Sequence, residues 1–120
     1  FIHRKVKDLL FKRAQKVLPE VLKRVSERIK VPYGECEVVR TLYSYAAWNY
    51  DQGKRIALST TCVQLPRESL EALCIHELTH NFIGGHREEF YLKLIELGGK
   101  EAYLLDKNLW KEGKWPYLQI

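Results

Sequence analysis

The chain has 120 residues, of which 46% are aliphatic or aromatic and 29% are charged. This balance indicates one globular domain over residues 1–120 and excludes an intrinsically disordered chain. No apolar run approaches the roughly 20 residues of a membrane-spanning helix. The first apolar run, Leu9 to Phe11, is too short for the core of a signal peptide. We therefore expect no membrane association and a cytoplasmic location.

The formal net charge is +5, and the basic residues are interspersed among 15 acidic ones. Such mixing is typical of an ordinary solvated surface, so nucleic acid is not expected as a partner. The absence of Met and the abundance of Lys, Arg and Glu are typical of a thermophile. The three cysteines show no paired spacing, which favours small apolar core residues at Cys36, Cys62 and Cys74. In a thermophile a disulfide between Cys36 and Cys62 is the alternative.

The N-terminal quarter has the periodicity of an amphipathic helix. Apolar residues recur at steps of three and four from residue 2 to about residue 30, at Val6, Leu10, Ala14, Val17, Val21, Val25 and Ile29. Pro19 lacks a backbone N–H and is therefore expected to kink this helix or to begin a second one.

Three β-rich stretches follow, at residues 35–42, 44–50 and 54–61. Asp51-Gln52-Gly53 has the composition of a hairpin turn between the last two. These features predict a small three-stranded sheet that is largely antiparallel.

Helical periodicity returns in the C-terminal half. One helix is predicted from Pro66 or Arg67 to about Phe82, a second from about residue 87 to 97, and a short third from 100 to 110. Glycine pairs at 84–85 and 98–99 end the first two. Residues 111–120 read as an extended tail. The predicted fold class is α+β, with an N-terminal helical segment, the small sheet and two successive helices that carry the chemistry.

That chemistry begins with His76-Glu77-Leu78-Thr79-His80, an H-E-x-x-H motif within the first predicted helix. Histidines at i and i+4 lie on one helical face, so both imidazoles can reach one ion. Glu77 lies beside them and can take a proton from a zinc-bound water without binding the metal. The motif therefore predicts a zinc-dependent hydrolase with Glu77 as its catalytic base and one zinc per chain.

A hydrolytic zinc site takes three protein ligands, so a third is required. His86 follows His80 across Gly84-Gly85, which permits a sharp return of the chain. We therefore expect His86 as the third ligand. The alternative third ligands are carboxylates further along the chain, at Glu88, Glu89, Glu96 and Glu101. His3 is far away in the sequence and is expected to be a surface residue.

Two features bear on substrate. Tyr45, Ala46, Ala47 and Trp48 mix small and aromatic side chains, which suits either an edge strand that pairs with an extended peptide or an ordinary half-buried strand. Asn81, Tyr91 and Tyr103 are candidate oxyanion donors, and each also has a purely structural interpretation.

The H-E-x-x-H motif and the following Gly85-His86-Arg87-Glu88-Glu89-Phe90 resemble the minigluzincins, short metallopeptidases of thermophilic prokaryotes. SprT-like domains and the gluzincins are wider kin. The resemblance spans about residues 45–97. It implies His86 as third ligand where most gluzincins use Glu, a peptide or protein substrate, and a substrate-holding upper-rim strand at Tyr45 to Trp48.

The minigluzincins are latent forms in which the C-terminal segment blocks the metal. Here the tail is rich in aromatic and aliphatic groups, and its candidate inhibitory residues are Trp115, Pro116, Tyr117, Leu118, Gln119 and Ile120. We expect residues 110–120 to lie across the cleft, in cis or in trans, with residues 111–120 as the candidate inhibitory tail. The alternative is that Trp115 and Tyr117 pack on the N-terminal helix away from the site.

Two other functions compete with a zinc endopeptidase. One is an SprT-like DNA-associated protease or DNA-binding module, although the chain shows neither zinc-ribbon cysteines nor a concentrated basic stripe. The other is a structural or sensor metal domain. Glu77 argues against the latter, because a structural zinc site fills its fourth position with a protein ligand.

Overall fold

Four helices and a three-stranded sheet form the part of the chain that the computed structural model describes, residues 2–40 and 47–109. The elements are α1 (Ile2–Ile29), β1 (Glu35–Val39), β2 (Ala47–Tyr50), β3 (Arg55–Ser59), α2 (Arg67–Thr79), α3 (Glu88–Gly98) and α4 (Lys100–Leu109). Short 3-10 turns, at Asp51–Gly53 and Thr60–Gln64, flank β3. The α+β class predicted from the sequence is confirmed, and the predicted extended tail lies outside the described residues.

Helix α1 runs without interruption through Pro19. Of the two predictions for this proline, a kink or a second helix, the second helix is therefore wrong. Proline removes one hydrogen bond from the helix interior. Leu18, Val21 and Leu22 are each at most 1% exposed on either side of it. Their burial against the rest of the core holds the helix together across the missing bond. The N-terminal end of the predicted stripe behaves differently, since Val6 is 45% exposed.

The sheet is mixed, with strand order β1-β3-β2. The antiparallel β2–β3 pair and its turn confirm the predicted hairpin. β1 runs parallel to β3, from Glu35 opposite Arg55 to Val39 opposite Ser59, so the largely antiparallel sheet was a wrong prediction. A hairpin is a local signal, whereas the place of β1 depends on pairing with a strand that follows 16 residues later in the sequence.

The core lies where α1, α2 and the central strand β3 meet. Within the described residues its largest fully buried side chains come from α1, β3, α2 and α3, together with Val31 after α1: Leu18, Val21, Leu22 and Val25 of α1, Ile56 and Leu58 of β3, Leu73, Ile75 and Leu78 of α2, and Phe90 and Leu94 of α3. Cys36, Cys62 and Cys74 form no disulfide with one another, so the Cys36–Cys62 bridge left open from the sequence is absent. Among the described helices, none is both long and apolar enough to cross a membrane.

The β2–β3 turn depends on a glycine. Asp51, Gln52 and Gly53 all have positive φ, at 51°, 55° and 92°. A Cβ on Gly53 would lie 2.3 Å from Oδ1 of Asn81, a side chain that is itself hydrogen-bonded. Both the backbone conformation and the close approach therefore require glycine here.

Replacement of Gly53 by Ala is expected to lower the free energy of unfolding by about 1–3 kcal/mol. Urea unfolding at constant metal content measures this change. Gly84→Ala is the matched control, because its Cβ would meet nothing within 4 Å and its φ is not positive. Equal unfolding midpoints for the two variants would show that the turn tolerates a side chain.

Candidate metal centre

Helix α2 is buried on almost every side, and this places polar side chains in the protein interior. Every residue from Ala72 to Thr79 is buried, with His76 6% and Glu77 5% exposed. A buried polar group is costly unless it finds a partner. The partners of these side chains therefore define what the site can do.

The two histidines of the motif have their Nδ1 atoms engaged. Nδ1 of His76 lies 3.0 Å from Oδ2 of Asp106, and Nδ1 of His80 lies 3.0 Å from the carbonyl oxygen of Ile83. Since a carboxylate and a carbonyl oxygen both accept, each Nδ1 is assigned the proton and donates it. Both Nε2 atoms are then left with a lone pair.

His86 completes a cluster with these two lone pairs. The chain turns back through Gly85, whose φ is +72°, and brings His86 before the first turn of α3. Its Nε2 atom lies 3.1 Å from Nε2 of His76 and 3.2 Å from Nε2 of His80. Nitrogens bound tetrahedrally to zinc at 2.0–2.1 Å are separated by about 3.3 Å. The donor set therefore fits a zinc-sized ion.

Among the described side chains of residues 4–40 and 47–109, no other group of three or more His, Cys, Asp and Glu comes close enough to share an ion. Four carboxylates considered as alternatives to His86 are not part of the cluster: Glu88, Glu89, Glu96 and Glu101. The structure thus brings together the three histidines that the sequence singled out, and their role as ligands stays a prediction.

Phe90 of α3 forms an apolar wall behind the cluster. Its ring centroid lies 4.8, 4.5 and 5.1 Å from those of His76, His80 and His86, and the residue is fully buried. A ring in contact with three imidazoles restricts their rotation and excludes water from one side of the site. In the sequence Phe90 was visible only as part of the motif that follows His86.

The electrostatics of the cluster favour neutral imidazoles at two positions. Burial and the neighbouring His76 lower the pKa of His80 to about 4, and burial lowers the pKa of His86. Burial also opposes the charged form of His76, but the hydrogen bond to Asp106 and the negative charges of Asp106 and Glu77 together outweigh it and raise the pKa of His76. Neutral imidazole is the form that binds metals, so His80 and His86 are ready to act as ligands near neutral pH.

Glu77 lies beside the cluster and is not a member of it. One of its carboxylate oxygens is 4.0 Å from Nε2 of His76. Burial raises the pKa of Glu77 to about 7, although His76 opposes the shift. A cation at the cluster would lower this pKa and favour the carboxylate, which is the form that accepts a proton.

Asn49 connects the sheet to the end of α2. Its amide nitrogen donates to the Glu77 carbonyl and to Oδ1 of Asn81, the latter at 2.7 Å, and its Oδ1 accepts from Gly53 N at 2.7 Å. Asn81 in turn donates to the Pro32 carbonyl at 2.8 Å. These bonds hold β2 at a set distance from the histidines. Sequence analysis missed Asn49 because only the fold brings it beside Glu77.

The predicted substrate strand is described only in part. Ala47 is buried and Trp48 is 39% exposed, and both belong to β2, which pairs with β3 alone in the described part of the chain. Tyr45 and Ala46 lie outside the described residues, as do Trp115, Pro116, Tyr117, Leu118, Gln119 and Ile120 of the tail.

The candidate oxyanion donors have structural contacts. The Asn81 amide nitrogen donates a hydrogen bond to the Pro32 carbonyl oxygen. The rings of Tyr91 and Tyr103 pack edge to face at a centroid distance of 5.6 Å. A catalytic role for any of the three stays a prediction.

Similarity to known proteins agrees with this geometry. The chain is 36% identical over 67 residues to the "DNA-dependent metalloprotease WSS1" of Saccharomyces cerevisiae, an alignment covering 52% of this chain and 25% of that protein. It is 44% identical over 59 residues to the "Uncharacterized protein aq_aa15" of Aquifex aeolicus, covering 48% of this chain and 54% of that one. The chain thus spans about a quarter and about half of the length of these relatives.

The fold is similar to the crystal structure of the metallopeptidase zymogen of Pyrococcus abyssi abylysin. The TM-score is 0.62 at 18% identity, over 80% of this chain and 94% of the other. Residues 1–97 match the family described as "YgjP-like, metallopeptidase domain". With its three clustered histidines and this match over most of its length, the chain belongs to the YgjP-like metallopeptidase family.

Proposed function

We propose that the protein is a zinc-dependent endopeptidase in which His76, His80 and His86 hold one zinc ion. The observation that carries this proposal is the convergence of the three Nε2 atoms, with two separations of 3.1 and 3.2 Å. Imidazole nitrogens favour zinc over calcium or magnesium, which prefer oxygen. Three protein ligands leave the open position of a catalytic site.

Different residues of the chain would transfer the proton and exclude water at this site. When bound, zinc supplies a Lewis acid that polarises a peptide carbonyl and acidifies water. Glu77 accepts the proton of the attacking water and delivers it to the leaving amine. Its buried position against His76 directs the carboxylate toward the cluster, and Phe90 keeps water from the opposite side.

The substrate is a peptide or protein held in extended form along β2. This strand has β3 as its partner on one side and is tied to the end of α2 through Asn49. An extended peptide can add to such an edge by backbone hydrogen bonds, with its side chains alternating in direction. The proposed substrate strand comprises Tyr45, Ala46, Ala47 and Trp48.

The purified protein is expected to bind one zinc per chain, as measured by elemental analysis and chelator competition. His86→Ala should weaken zinc binding by more than the roughly 10–100-fold that is typical of losing an outer-sphere partner. Glu89→Ala is the matched control, because Glu89 is exposed and lies in the first turn of α3. Unchanged affinity in the His86 variant, or a loss in the Glu89 variant, would contradict the three-histidine site.

Glu77→Gln keeps the size of the side chain but removes the base. Peptide cleavage should fall by about 10²–10⁴-fold, the range that a general base contributes. Zinc content and the unfolding midpoint should stay at the values of the unaltered protein. Undiminished cleavage by this variant would assign the base to another residue.

The C-terminal segment is proposed to hold the enzyme latent by lying across the cleft. Residues 114–120 carry one charged side chain and are otherwise mostly aromatic and aliphatic. Such side chains are expected to be buried against another protein surface, since free tails are usually polar. The structurally similar abylysin was crystallised as a zymogen. An extended apolar segment has the shape that a peptidase cleft binds.

A chain that ends at Leu109 tests this latency. Leu109 is 4% exposed and closes α4, so this truncation keeps the described core intact. Cleavage of a peptide substrate should rise at least several-fold over the full chain, while circular dichroism confirms the fold. Addition of a peptide of residues 110–120 should restore inhibition. Equal activity of the two chains would rule out a blocking tail.

A second candidate function, DNA-directed proteolysis, is favoured by the charge of α1. Residues 4–16 carry six basic side chains and one acidic one, and all seven are exposed. Lys5, Lys12 and Lys16 fall within about 40° of one another around the helix axis. They therefore form one basic face, in contrast to the expectation from the sequence that the basic residues are not concentrated in a stripe. The similar yeast protease is named as DNA-dependent.

Binding of a fluorescent single-stranded oligonucleotide at two salt concentrations tests this function. K5E/K12E/K16E should lose the binding and its salt dependence, since each lost phosphate contact reduces the salt slope by about 0.7 for a single strand. K23E/K54E/K100E makes the same change of net charge at other exposed lysines and should retain most of the affinity. Equal losses would show only a response to net charge.

A further inference from the structure

Asp106 is a carboxylate on the apolar face of α4. It is 2% exposed, and Ala102 and Leu109, four residues before and three after it, are 6% and 4% exposed. Residues at these spacings share one side of a helix, and this side packs against the core. A buried charge is costly unless it has a compensating partner, so the contact that Asp106 makes must stabilise its carboxylate in the interior.

That contact is with His76. Both carboxylate oxygens lie close to its Nδ1 atom, Oδ1 at 2.9 Å and Oδ2 at 3.0 Å. A single N–H can point well at only one of them, and Oδ2 receives the hydrogen bond. Oδ1 has no hydrogen-bond donor within the described residues. The whole polar role of this side chain is therefore directed at one imidazole.

The bond determines both the tautomer and the orientation of that ring. With the proton on Nδ1, the Nε2 atom of His76 presents its lone pair to the point it shares with His86, 3.1 Å away. Rotation of the ring would break the contact with Asp106 and would also disturb the packing on Phe90. A carboxylate behind a ligating imidazole also makes the ring a stronger donor.

We infer that Asp106 is a positioning residue for the proposed metal centre and that α4 is therefore a functional part of the site. This inference rests on the proposed function. Residues 1–97 match the family, and Asp106 lies beyond that match. The metal centre thus depends on a helix that the family comparison does not include, 30 residues after the histidine it supports.

Two variants test the role of Asp106, with zinc affinity as the first readout. D106N keeps the shape but removes the charge, and D106L removes the acceptor altogether. Both should raise the zinc dissociation constant about 10–100-fold. A102G weakens the same face of the same helix without touching His76, and it should leave the zinc dissociation constant unchanged even where it lowers the urea midpoint.

The tautomer of His76 in the metal-free protein is the second readout, and it does not depend on zinc. Nitrogen-15 NMR of the imidazole should show the proton on Nδ1 in the unaltered protein and in A102G, and a shift toward the Nε2–H tautomer in D106L. An unchanged tautomer in D106L, or an unchanged dissociation constant in both Asp106 variants, would overturn the inference. If the unaltered protein bound no zinc, the proposed metal centre would fail, whereas an unaltered tautomer in D106L would separately refute the positioning role.

Discussion

The convergence of two imidazole lone pairs on one side of α2 is the constraint on which the remainder of the structure depends. His76 and His80 come together simply because they are one helical turn apart. They are useful to a metal only if both Nε2 atoms are free of protons and both rings are held still. Each condition is met by a partner for Nδ1, and Phe90 packs on both rings.

This constraint explains why so small a domain buries polar groups in its centre. α2 must lie in the interior, because both the sheet and α1 pack on it, and so Glu77 and His76 lose water on folding. The compensation comes from elsewhere: Asp106 from α4, and Asn49 from β2, which satisfies the Glu77 carbonyl. The same bonds that satisfy the interior also set the distance between the edge strand and the histidines.

The sequence predicts features that depend on neighbouring residues. The helical spacing of the motif, the glycine turn before His86 and the β2–β3 hairpin are all local, and the structure shows each of them. The parallel pairing of β1 with β3 and the continuity of α1 through Pro19 depend on tertiary packing, and both departed from expectation. Asp106 belongs with these, because one acidic residue among 15 carries no mark of its partner. The spacing of Asp106 with Ala102 and Leu109 on an amphipathic helix does indicate that this carboxylate is buried, but it does not indicate which residue it contacts.

The two motif histidines obtain their Nδ1 partners differently, and helix geometry gives the reason. His80 is the C-terminal cap of α2, where the chain leaves the helix and the Ile83 carbonyl, three residues on, can turn toward its ring. His76 lies one turn inside, and the carbonyl three residues on, that of Thr79, already accepts from the backbone N–H groups of Phe82 and Ile83. Its acceptor must therefore come from another element, and α4 supplies it through Asp106. In α2, which ends at the second histidine of the motif, that histidine is oriented locally, whereas the first is oriented by a residue of another helix. His76 is accordingly the residue through which the proposed metal site would be coupled to the packing of the whole domain.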